Sequence, residues 1–256
     1  MGQNFLVNPR VLDRIADAAA LTGSETVVEI GPGKGALTER LAERAGRVIA
    51  VELDRRLAEG LENAWAGSGQ VTIVRGDFLQ YDLTQNFSAE SRGIVLGNVP
   101  YSITSPIVFR LFEQAAVLDR ALLLVQREVA DRMTAGPGDR ARGRLGVAVE
   151  YYAKANRLFL VGPANFRPRP RVDSALVSLR FHAPRDKPAF ERRMFALVKR
   201  LFGERRKMIR AGLREWRPGL DTDSVEAESG VALTRRPETL TLDEWRSLAR
   251  AAGDPA

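Results

Sequence analysis

The chain has 256 residues, of which 45% are hydrophobic, and it carries 39 Lys and Arg against 32 Asp and Glu, a net charge of +7. It has no Cys and a single His, His182, which excludes disulfides and Cys nucleophiles and argues against a His-ligated metal or a Ser-His-Asp triad. No apolar run has the length of a membrane span, and the start lacks a secretory leader, so we expect a cytoplasmic protein without a metal or membrane partner.

Short apolar runs alternate with helical patterns over the first half of the chain. We predict strands at 26–30, 47–52, 71–74, 94–96 and 121–125, and helices at 36–45, 55–65, 106–116 and 128–134. This alternation predicts a parallel sheet covered by helices on both faces, which is an α/β fold. Two further runs, 158–161 and 176–181, are expected to close the sheet as a pair of strands.

The composition changes at Ala183-Pro184-Arg185-Asp186-Lys187-Pro188, where two prolines end the last predicted strand. We place a domain boundary there, with a large domain over 1–184 and a small domain over 185–256. Apolar residues beyond it recur at helical spacing, first over 190–201 and then over 208–216. Thr241 and Glu244 form a capping-box pattern at the start of a last helix, so the small domain is predicted to be all-helical.

The positive charge is concentrated in the segment 185–217, which holds 12 Lys or Arg and 4 Asp or Glu. The rest of the chain has 27 basic and 28 acidic residues and is therefore close to neutral. A solvated helix face with internal ion pairs is one interpretation. Because four acids cannot neutralise twelve bases, the segment favours a site for a polyanion such as nucleic acid.

The sequence Asn98-Val99-Pro100-Tyr101 directly follows the apolar run that starts at Gly93. It places an amide, a rigid carbonyl and an aromatic ring at the carboxyl edge of the predicted sheet, where open α/β sheets bind ligands. The Asn98 amide oxygen and the carbonyl of Val99 or Pro100 suit the exocyclic amine of a planar base, and Tyr101 suits stacking on its ring. The alternative is a plain turn at a strand end, because Pro disfavours helix at the residue before it.

A glycine-rich loop, Gly31-Pro-Gly-Lys-Gly35, follows the first predicted strand and opens a helix. Such glycines let the backbone approach a nucleotide-like ligand, and Glu52 at the end of the next strand suits a ribose. The loop also matches the dinucleotide fingerprint, so a nicotinamide enzyme is a rival hypothesis. The acids Glu29 and Asp77 argue against it, because the fingerprint requires neither. Asp77 suits an adenine amine, with Phe78 beside the ring.

Several motifs together resemble the KsgA-type rRNA adenine N6,N6-dimethyltransferases, and the resemblance runs almost end to end. The matching segments are Gly2-Gln3-Asn4-Phe5-Leu6, Glu29-Ile-Gly-Pro-Gly-Lys-Gly35, Asn98-Val-Pro-Tyr101, Arg142-Gly-Arg-Leu145, Asn165-Phe-Arg-Pro-Arg-Pro-Arg-Val-Asp-Ser174, Arg205-Arg-Lys207 and Arg236-Pro-Glu-Thr-Leu240. The resemblance implies a class I methyltransferase fold, a Rossmann-like sheet of seven strands with the last antiparallel, followed by a small helical domain. It also implies S-adenosylmethionine as the cofactor.

The resemblance implies roles for individual residues. Cofactor contacts are expected from Asn4, Leu6, Gly31, Gly33, Glu52, Asp77, Phe78 and Asn98. Catalytic roles are expected from Asn98, Pro100, Tyr101 and Phe166, with Asn98 and a backbone carbonyl aiming the lone pair of the adenine amine at the methyl group. Tyr101 and Phe166 are expected to clamp the base after it leaves its stack. The alternative for Phe166 is a core aromatic, which the polar and stiff segment Arg167-Pro-Arg-Pro170 after it disfavours. RNA contacts are expected from Arg142, Arg144, Arg205, Arg206 and Lys207.

The implied partner is 16S rRNA of the small ribosomal subunit, methylated near its 3′ end during ribosome biogenesis by a monomeric enzyme. One alternative is the related macrolide-resistance type, which methylates an adenine of 23S rRNA. Another is an assembly factor that binds rRNA without catalysis. The Arg142 and Val172-Asp-Ser174 motifs and the helical tail favour the first function, and the intact Asn98 and Tyr101 argue against a non-catalytic factor.

Overall fold

The computed structural model describes residues 4–183 and 186–254. The chain divides into two compact units. Unit 1 comprises Met1–Ala130 and Ala153–Ala183, and unit 2 comprises Asp131–Tyr152 and Pro184–Ala256. Pro184 and Arg185, which belong to the predicted boundary, and Gly2 and Gln3 of the first motif lie outside the described residues.

The described strands and helices are named here in chain order. They are β1 (Phe5–Leu6), α1 (Pro9–Ala18), β2 (Thr26–Ile30), α2 (Ala36–Ala42), β3 (Arg47–Glu52), α3 (Arg55–Ala64), β4 (Val71–Arg75), β5 (Gly93–Asn98), α4 (Thr104–Glu113), β6 (Leu118–Gln126), α5 (Arg127–Thr134), α6 (Arg144–Tyr152), β7 (Ala153–Val161), β8 (Phe166–Arg167), β9 (Ser174–Phe181), α7 (Pro188–Gly203), α8 (Ile209–Trp216), α9 (Thr222–Ser229) and α10 (Leu242–Ala252).

Unit 1 is built on a seven-stranded sheet with the strand order β4-β3-β2-β5-β6-β9-β7. The pairs among β2 to β6 are parallel, whereas β9 runs antiparallel to both β6 and β7. This confirms the predicted class I methyltransferase fold with its last strand antiparallel. Parallel pairing brings the carboxyl ends of β2, β3, β4 and β5 to one edge of the sheet, which is the edge where the sequence motifs lie.

A helix that the sequence analysis did not predict, α1, covers part of this sheet. Asn8 caps it by accepting a hydrogen bond from the amide of Arg10, and Pro9 occupies its first turn, where proline is tolerated. Its buried face (Val11, Leu12, Ile15 and Ala16) joins a core cluster with residues of β2, β5 and β6. Burial of this apolar stripe supplies most of the stability of so short a helix.

Unit 2 is helical, as the periodicity predicted. The apolar stripe of α7 (Met194, Leu197, Val198 and Leu201) is buried, and so is Trp245 of α10. Thr241 and Glu244 form the predicted capping box at the start of α10. Within the described residues, no helix is both long enough and apolar enough to cross a membrane.

The residue ranges of the two units differ from those of the predicted domains in one segment. Asp131–Tyr152 was assigned by sequence to the large domain over 1–184, but it belongs to unit 2. The reason is that Val147 and Tyr151 of α6 are buried in one cluster with the apolar faces of α7 and α10. The assignment of methyl transfer to one domain and RNA binding to the other stays a prediction.

Candidate active site

A cavity in unit 1 lies at the carboxyl edge of the parallel strands. Its walls come from the N-terminal segment and from the loops that follow β2, β3, β4 and β5. The predicted residues on its lining are Asn4, Leu6, Gly31, Gly33, Glu52, Asp77, Phe78, Asn98, Pro100 and Tyr101. These residues are distant in sequence, and the parallel sheet brings them together.

The glycine loop after β2 forms one wall of the cavity. Gly31 and Gly33 have φ angles of +60° and +63°, in the left-handed region that favours glycine. A Cβ atom on Gly33 would also lie 2.9 Å from Cε1 of Phe5, so a larger residue would collide with this ring. No atom lies within 4 Å of a Cβ built on Gly31, which leaves open space beside the backbone there.

The carboxylate of Glu52 is buried, and both of its oxygens accept hydrogen bonds from backbone amides. Oε2 accepts from the amide of Gly33 at 2.9 Å, and Oε1 accepts from the amide of Asp54 at 2.8 Å. Glu52 therefore fixes the glycine loop to the end of β3. Because each carboxylate oxygen has a second lone pair, both can accept a further bond from a ligand hydroxyl.

Asp77 and Phe78 line the cavity after β4. Oδ1 of Asp77 accepts a hydrogen bond from the amide of Leu79 at 2.9 Å, which orients the carboxylate. Phe78 is buried and its ring stacks on Tyr81 with 6.5 Å between ring centroids. Contact of Asp77 and Phe78 with an adenine ring stays a prediction. Both residues lie on the lining of the cavity, as this role requires.

Sequence reasoning did not single out Glu29 as a site group, although it noted the residue before the glycine loop. Its side chain lines the cavity, is buried, and accepts a hydrogen bond from the Thr38 hydroxyl at 2.6 Å. Burial raises the pKa of Glu29 to about 7, the Thr38 bond opposes this shift, and the charge of Glu52 adds to it. Glu29 is thus a titratable group at the cavity near neutral pH.

Three further cavity residues were given no role by the sequence motifs. Leu53 is 66% exposed although it is a large apolar residue, and it lies on the cavity lining directly after Glu52. The Lys34 ammonium lies 5.5 Å from the centroid of the Phe5 ring, and both residues line the cavity. The sequence signal that could have identified Leu53 is its position directly after the strand-end acid Glu52.

The Asn98-Val-Pro-Tyr101 motif lies at the end of β5. Nδ2 of Asn98 donates a hydrogen bond to the backbone carbonyl of Asn4 at 2.9 Å, and the amide of Val99 donates to the carbonyl of Leu124. The Tyr101 hydroxyl lies 2.7 Å from Oγ of Ser174. Burial raises the pKa of Tyr101, and the bond to Ser174 acts in the opposite direction. The phenol is therefore protonated at neutral pH.

The structure does not place the ring of Phe166, the predicted base clamp, on the lining of the cavity. Its ring is fully buried in the core cluster of unit 1, together with Leu6, Leu12 and Leu124, and it does not line the cavity. The physical reason is the pairing of β8 with β1, in which Phe166 is the partner of Leu6. The side chain therefore packs inward beneath β1, while Arg167 next to it is exposed.

The structure also does not place Arg142, a predicted RNA contact, on the surface. Its guanidinium is 1% exposed and donates to Oε2 of Glu150 at 2.7 Å. It donates in addition to the carbonyls of Ala135 at 3.0 Å and Leu240 at 3.1 Å. Arg142 therefore holds together three segments of unit 2, whereas Arg144 is exposed.

The other basic residues predicted to contact RNA have different surroundings within unit 2. Arg205 donates to the carbonyl of Arg140 at 2.6 Å, and Lys207 pairs with Glu204 at 2.9 Å. Arg206 is exposed and makes no ion pair with the described residues. Acids outside the segment 185–217 also pair with its bases: Arg205 faces Glu238, Arg193 faces Asp254, and Arg210 faces Asp223 and Glu226. The charge argument counted only acids inside the segment and overstated the unpaired charge.

Comparisons with known proteins agree with this arrangement. Residues 1–252 match the family profile described as "Ribosomal RNA adenine dimethylase". The "Ribosomal RNA small subunit methyltransferase A" of Alkaliphilus metalliredigens is 39% identical over 98% of this chain and 90% of its own. The protein of the same name from Geobacter metallireducens is 40% identical over 98% and 94%.

Two solved structures share the fold over nearly the whole chain. The 23S rRNA methyltransferase ErmE has a TM-score of 0.73 at 30% identity, covering 97% of this chain and 99% of its own. A dimethyladenosine transferase from Plasmodium falciparum has a TM-score of 0.76 at 25% identity, with 95% of both chains covered. Because the family profile matches residues 1–252, which is almost the entire chain, the chain belongs to the ribosomal RNA adenine dimethylase family.

Proposed function

We propose that this protein transfers methyl groups from S-adenosylmethionine to N6 of adenines near the 3′ end of 16S rRNA, two methyls per adenine. The observation that carries the proposal is one cavity that holds the glycine loop, Glu52, Asp77 and the Asn98-Val-Pro-Tyr101 motif. The family match and the names of the relatives that are 39–40% identical support the small subunit as the source of the RNA.

The residues of the cavity fit S-adenosylmethionine. Glu52 has a lone pair free on each oxygen for the two ribose hydroxyls, and Asp77 next to Phe78 suits the amine of the adenine moiety. Leu53 offers an apolar surface to the adenine ring, and the open backbone at Gly31 allows the amino-acid part to approach closely. When bound, S-adenosylmethionine supplies an electrophilic methyl group on a sulfonium.

Asn98 is the group that acts on the target amine. Because its Nδ2 donates to the Asn4 carbonyl, its Oδ1 is the atom that accepts a hydrogen bond from N6–H of the base. A second acceptor comes from the backbone of the motif. The Pro100 carbonyl already accepts from the amide of Ile103 and the hydroxyl of Thr104, so we assign this role to the Val99 carbonyl.

These two acceptors favour a pyramidal N6 whose lone pair points towards the methyl group, and they stabilise the positive charge that develops on it. Tyr101 stacks on the extruded base, and its hydroxyl is held by Ser174, which fixes the ring plane. Positioning then supplies the remaining acceleration, since both reactants are held by one rigid sheet edge. With Phe166 buried, stacking is proposed on one face only.

In unit 2, the exposed Arg144 and Arg206 are the basic side chains of the predicted set best placed to contact rRNA phosphates, because neither makes an ion pair with the described residues. Arg205 and Lys207 contribute when RNA competes with Glu238 and Glu204 for them. We further propose that the protein acts as a monomer in the cytoplasm, where ribosomal subunits are assembled.

The second candidate function is methylation of 23S rRNA. It is favoured by the likeness to ErmE, which is 30% identical over 97% of this chain. The relatives named for the small subunit are 39–40% identical over a similar length, which is why the small subunit is our first proposal.

The decisive experiment supplies the protein with S-adenosylmethionine and with small or large ribosomal subunits that lack adenine methylation, and maps dimethyladenine by mass spectrometry. We expect dimethylation in the small subunit only. Asn98→Ala is the control, and it should lower turnover by about 10²- to 10³-fold, as expected when a preorganised hydrogen-bonding group is removed. Methylation confined to the large subunit would support the second candidate. Binding without methylation in either subunit would indicate an assembly factor.

A further inference from the structure

The first described residues form a strap over the cavity, which we define as residues 4–8. Phe5 and Leu6 pair antiparallel with Arg167 and Phe166 of β8. The amide of Val7 continues the pairing by donating to the carbonyl of Asn165 at 2.9 Å. The strap is thus held by a segment about 160 positions away in the chain.

The outer end of the strap is closed by two asparagine side chains, Asn8 and Asn165, which we name the clasp. Nδ2 of Asn8 donates to Oδ1 of Asn165 at 2.7 Å, and Nδ2 of Asn165 donates to the carbonyl of Gly162 at 2.8 Å. Oδ1 of Asn8 accepts from the amide of Arg10. Every bond of the clasp has a defined direction, because each amide group is fixed by a second partner.

The inner end of the strap touches the catalytic motif and the glycine loop. The Asn4 carbonyl accepts the hydrogen bond from Nδ2 of Asn98 at 2.9 Å, and the Phe5 ring packs against Gly33. Asn8 and Asn165 are absent from the lining of the cavity. The clasp can therefore affect methyl transfer only through the position of the strap.

We propose that the Asn8–Asn165 clasp is a positioning device for methyl transfer, which keeps the strap closed and so holds the Asn98 amide with Oδ1 towards the target base. The inference rests on the proposed function. When the strap opens, Asn98 loses the acceptor for its Nδ2, and its amide is free to rotate by half a turn. A rotated amide presents a donor to N6–H instead of an acceptor and cannot stabilise the transition state.

The sharpest variant is Asn8→Asp. An Asp keeps the oxygen that caps α1, since Asp and Asn are equally good caps. It replaces the Nδ2 donor by an oxygen that faces Oδ1 of Asn165, and the Asn165 amide cannot turn without losing its bond to Gly162. Loss of one such hydrogen bond corresponds to about a 2- to 12-fold change. We expect the KM for S-adenosylmethionine to rise and kcat to fall, so that kcat/KM decreases by that order.

The matched control is Asn156→Asp, the same substitution at an exposed residue of β7. It should leave kcat and the KM for S-adenosylmethionine at wild-type values. Asn165→Ala breaks the clasp from the other side, and the double variant with Asn8→Asp should be no worse than the more impaired single variant, because both remove one interaction. Simple destabilisation would instead lower the folded fraction and kcat without raising the cofactor KM.

Hydrogen exchange at the Val7 amide reports on the strap without any catalysis, and it should be faster in Asn8→Asp than in wild type. If the wild-type protein is active and both clasp variants keep its KM, its kcat and its rate of Val7 exchange, the proposed role of the clasp is wrong. If the wild-type protein methylates neither subunit, the proposed function is wrong. Faster Val7 exchange in the variants would then still show that the clasp holds the strap, so that failure of the proposed function is distinguished from failure of the clasp.

Discussion

The two units use buried charge in opposite ways. In unit 1 the buried acids Glu29 and Glu52 form no ion pair with the described residues, and their partners are the Thr38 hydroxyl and two backbone amides. In unit 2 the buried Arg142 is paired with Glu150 and bonded to two carbonyls. The neutral partners leave lone pairs of each acid available to a ligand. The guanidinium of Arg142, by contrast, binds residues of its own unit and is not available to a ligand. The surroundings of a charge, more than its presence, separate a binding group from a structural one.

The first effect that tests this comparison is the pH dependence of Glu29. Its pKa is raised from the ordinary value of 4.5 to about 7, chiefly by burial. The folded state therefore binds this proton more tightly than the unfolded state, and its contribution to stability is present below about pH 4.5 and is lost as the pH rises to about 7. The loss is roughly 3 kcal/mol.

Glu29→Gln keeps an oxygen for the Thr38 hydroxyl and removes the titration. The free energy of unfolding of the variant minus that of wild type should therefore increase between pH 4.5 and pH 8. Urea unfolding at several pH values measures it. Parallel curves for the two proteins would mean that Glu29 titrates as an ordinary carboxyl.

The second effect concerns Glu52 as a ligand for the cofactor. Glu52→Ala should weaken binding of S-adenosylmethionine by about 10- to 150-fold for each ribose hydroxyl that Glu52 binds, since a hydrogen bond to a charged group contributes about 1.5–3 kcal/mol. Isothermal titration calorimetry gives the affinity. Glu43→Ala removes an exposed acid of the same unit and should leave the affinity unchanged. Equal affinities for both variants would place the ribose elsewhere.

The third effect separates Arg142 from Arg144. Arg142→Ala leaves the carbonyls of Ala135 and Leu240 without their donor, at a cost of about 1–3 kcal/mol for each buried acceptor. Arg144→Ala should change the stability by no more than about 0.5 kcal/mol, because its side chain is exposed. Thermal and urea unfolding provide the comparison. A destabilising Arg144→Ala with a neutral Arg142→Ala would reverse the roles that the structure assigns to them.

The smallest effect tests which basic residues of unit 2 contact rRNA. Replacing Arg206 by Ala should reduce the slope of log K against log salt for subunit binding by roughly 0.7–0.9, the value of one phosphate contact. Lys207→Ala should reduce it less, because Lys207 is already paired with Glu204 and Glu215. Salt titrations of both variants beside wild type measure the slopes. Wild-type slopes in both would indicate a solvated face and direct the search to Arg140 and Arg144.

Local pattern was sufficient for most of the architecture. The alternation of β-branched runs and helical stripes predicted the seven strands of the sheet and three of the helices of unit 2, because both depend on residues that are near neighbours in the chain. It was also sufficient to place Gly31, Glu52, Asp77 and Asn98 together, since each follows a parallel strand and parallel strands end at one edge.

Long-range contacts decided what the local pattern could not. Phe166 and Arg142 lie in polar, proline-rich or glycine-rich surroundings, which predict exposure. Phe166 is nevertheless buried because β1 pairs with its strand, and Arg142 because Ala135, Glu150 and Leu240 meet around it. Burial of a single side chain depends on which distant segment covers it, and no periodicity within ten residues encodes that. The sequence by itself determined the elements and the edge that carries the chemistry. Only the tertiary structure determined which of the candidate side chains face the ligand and which support the fold.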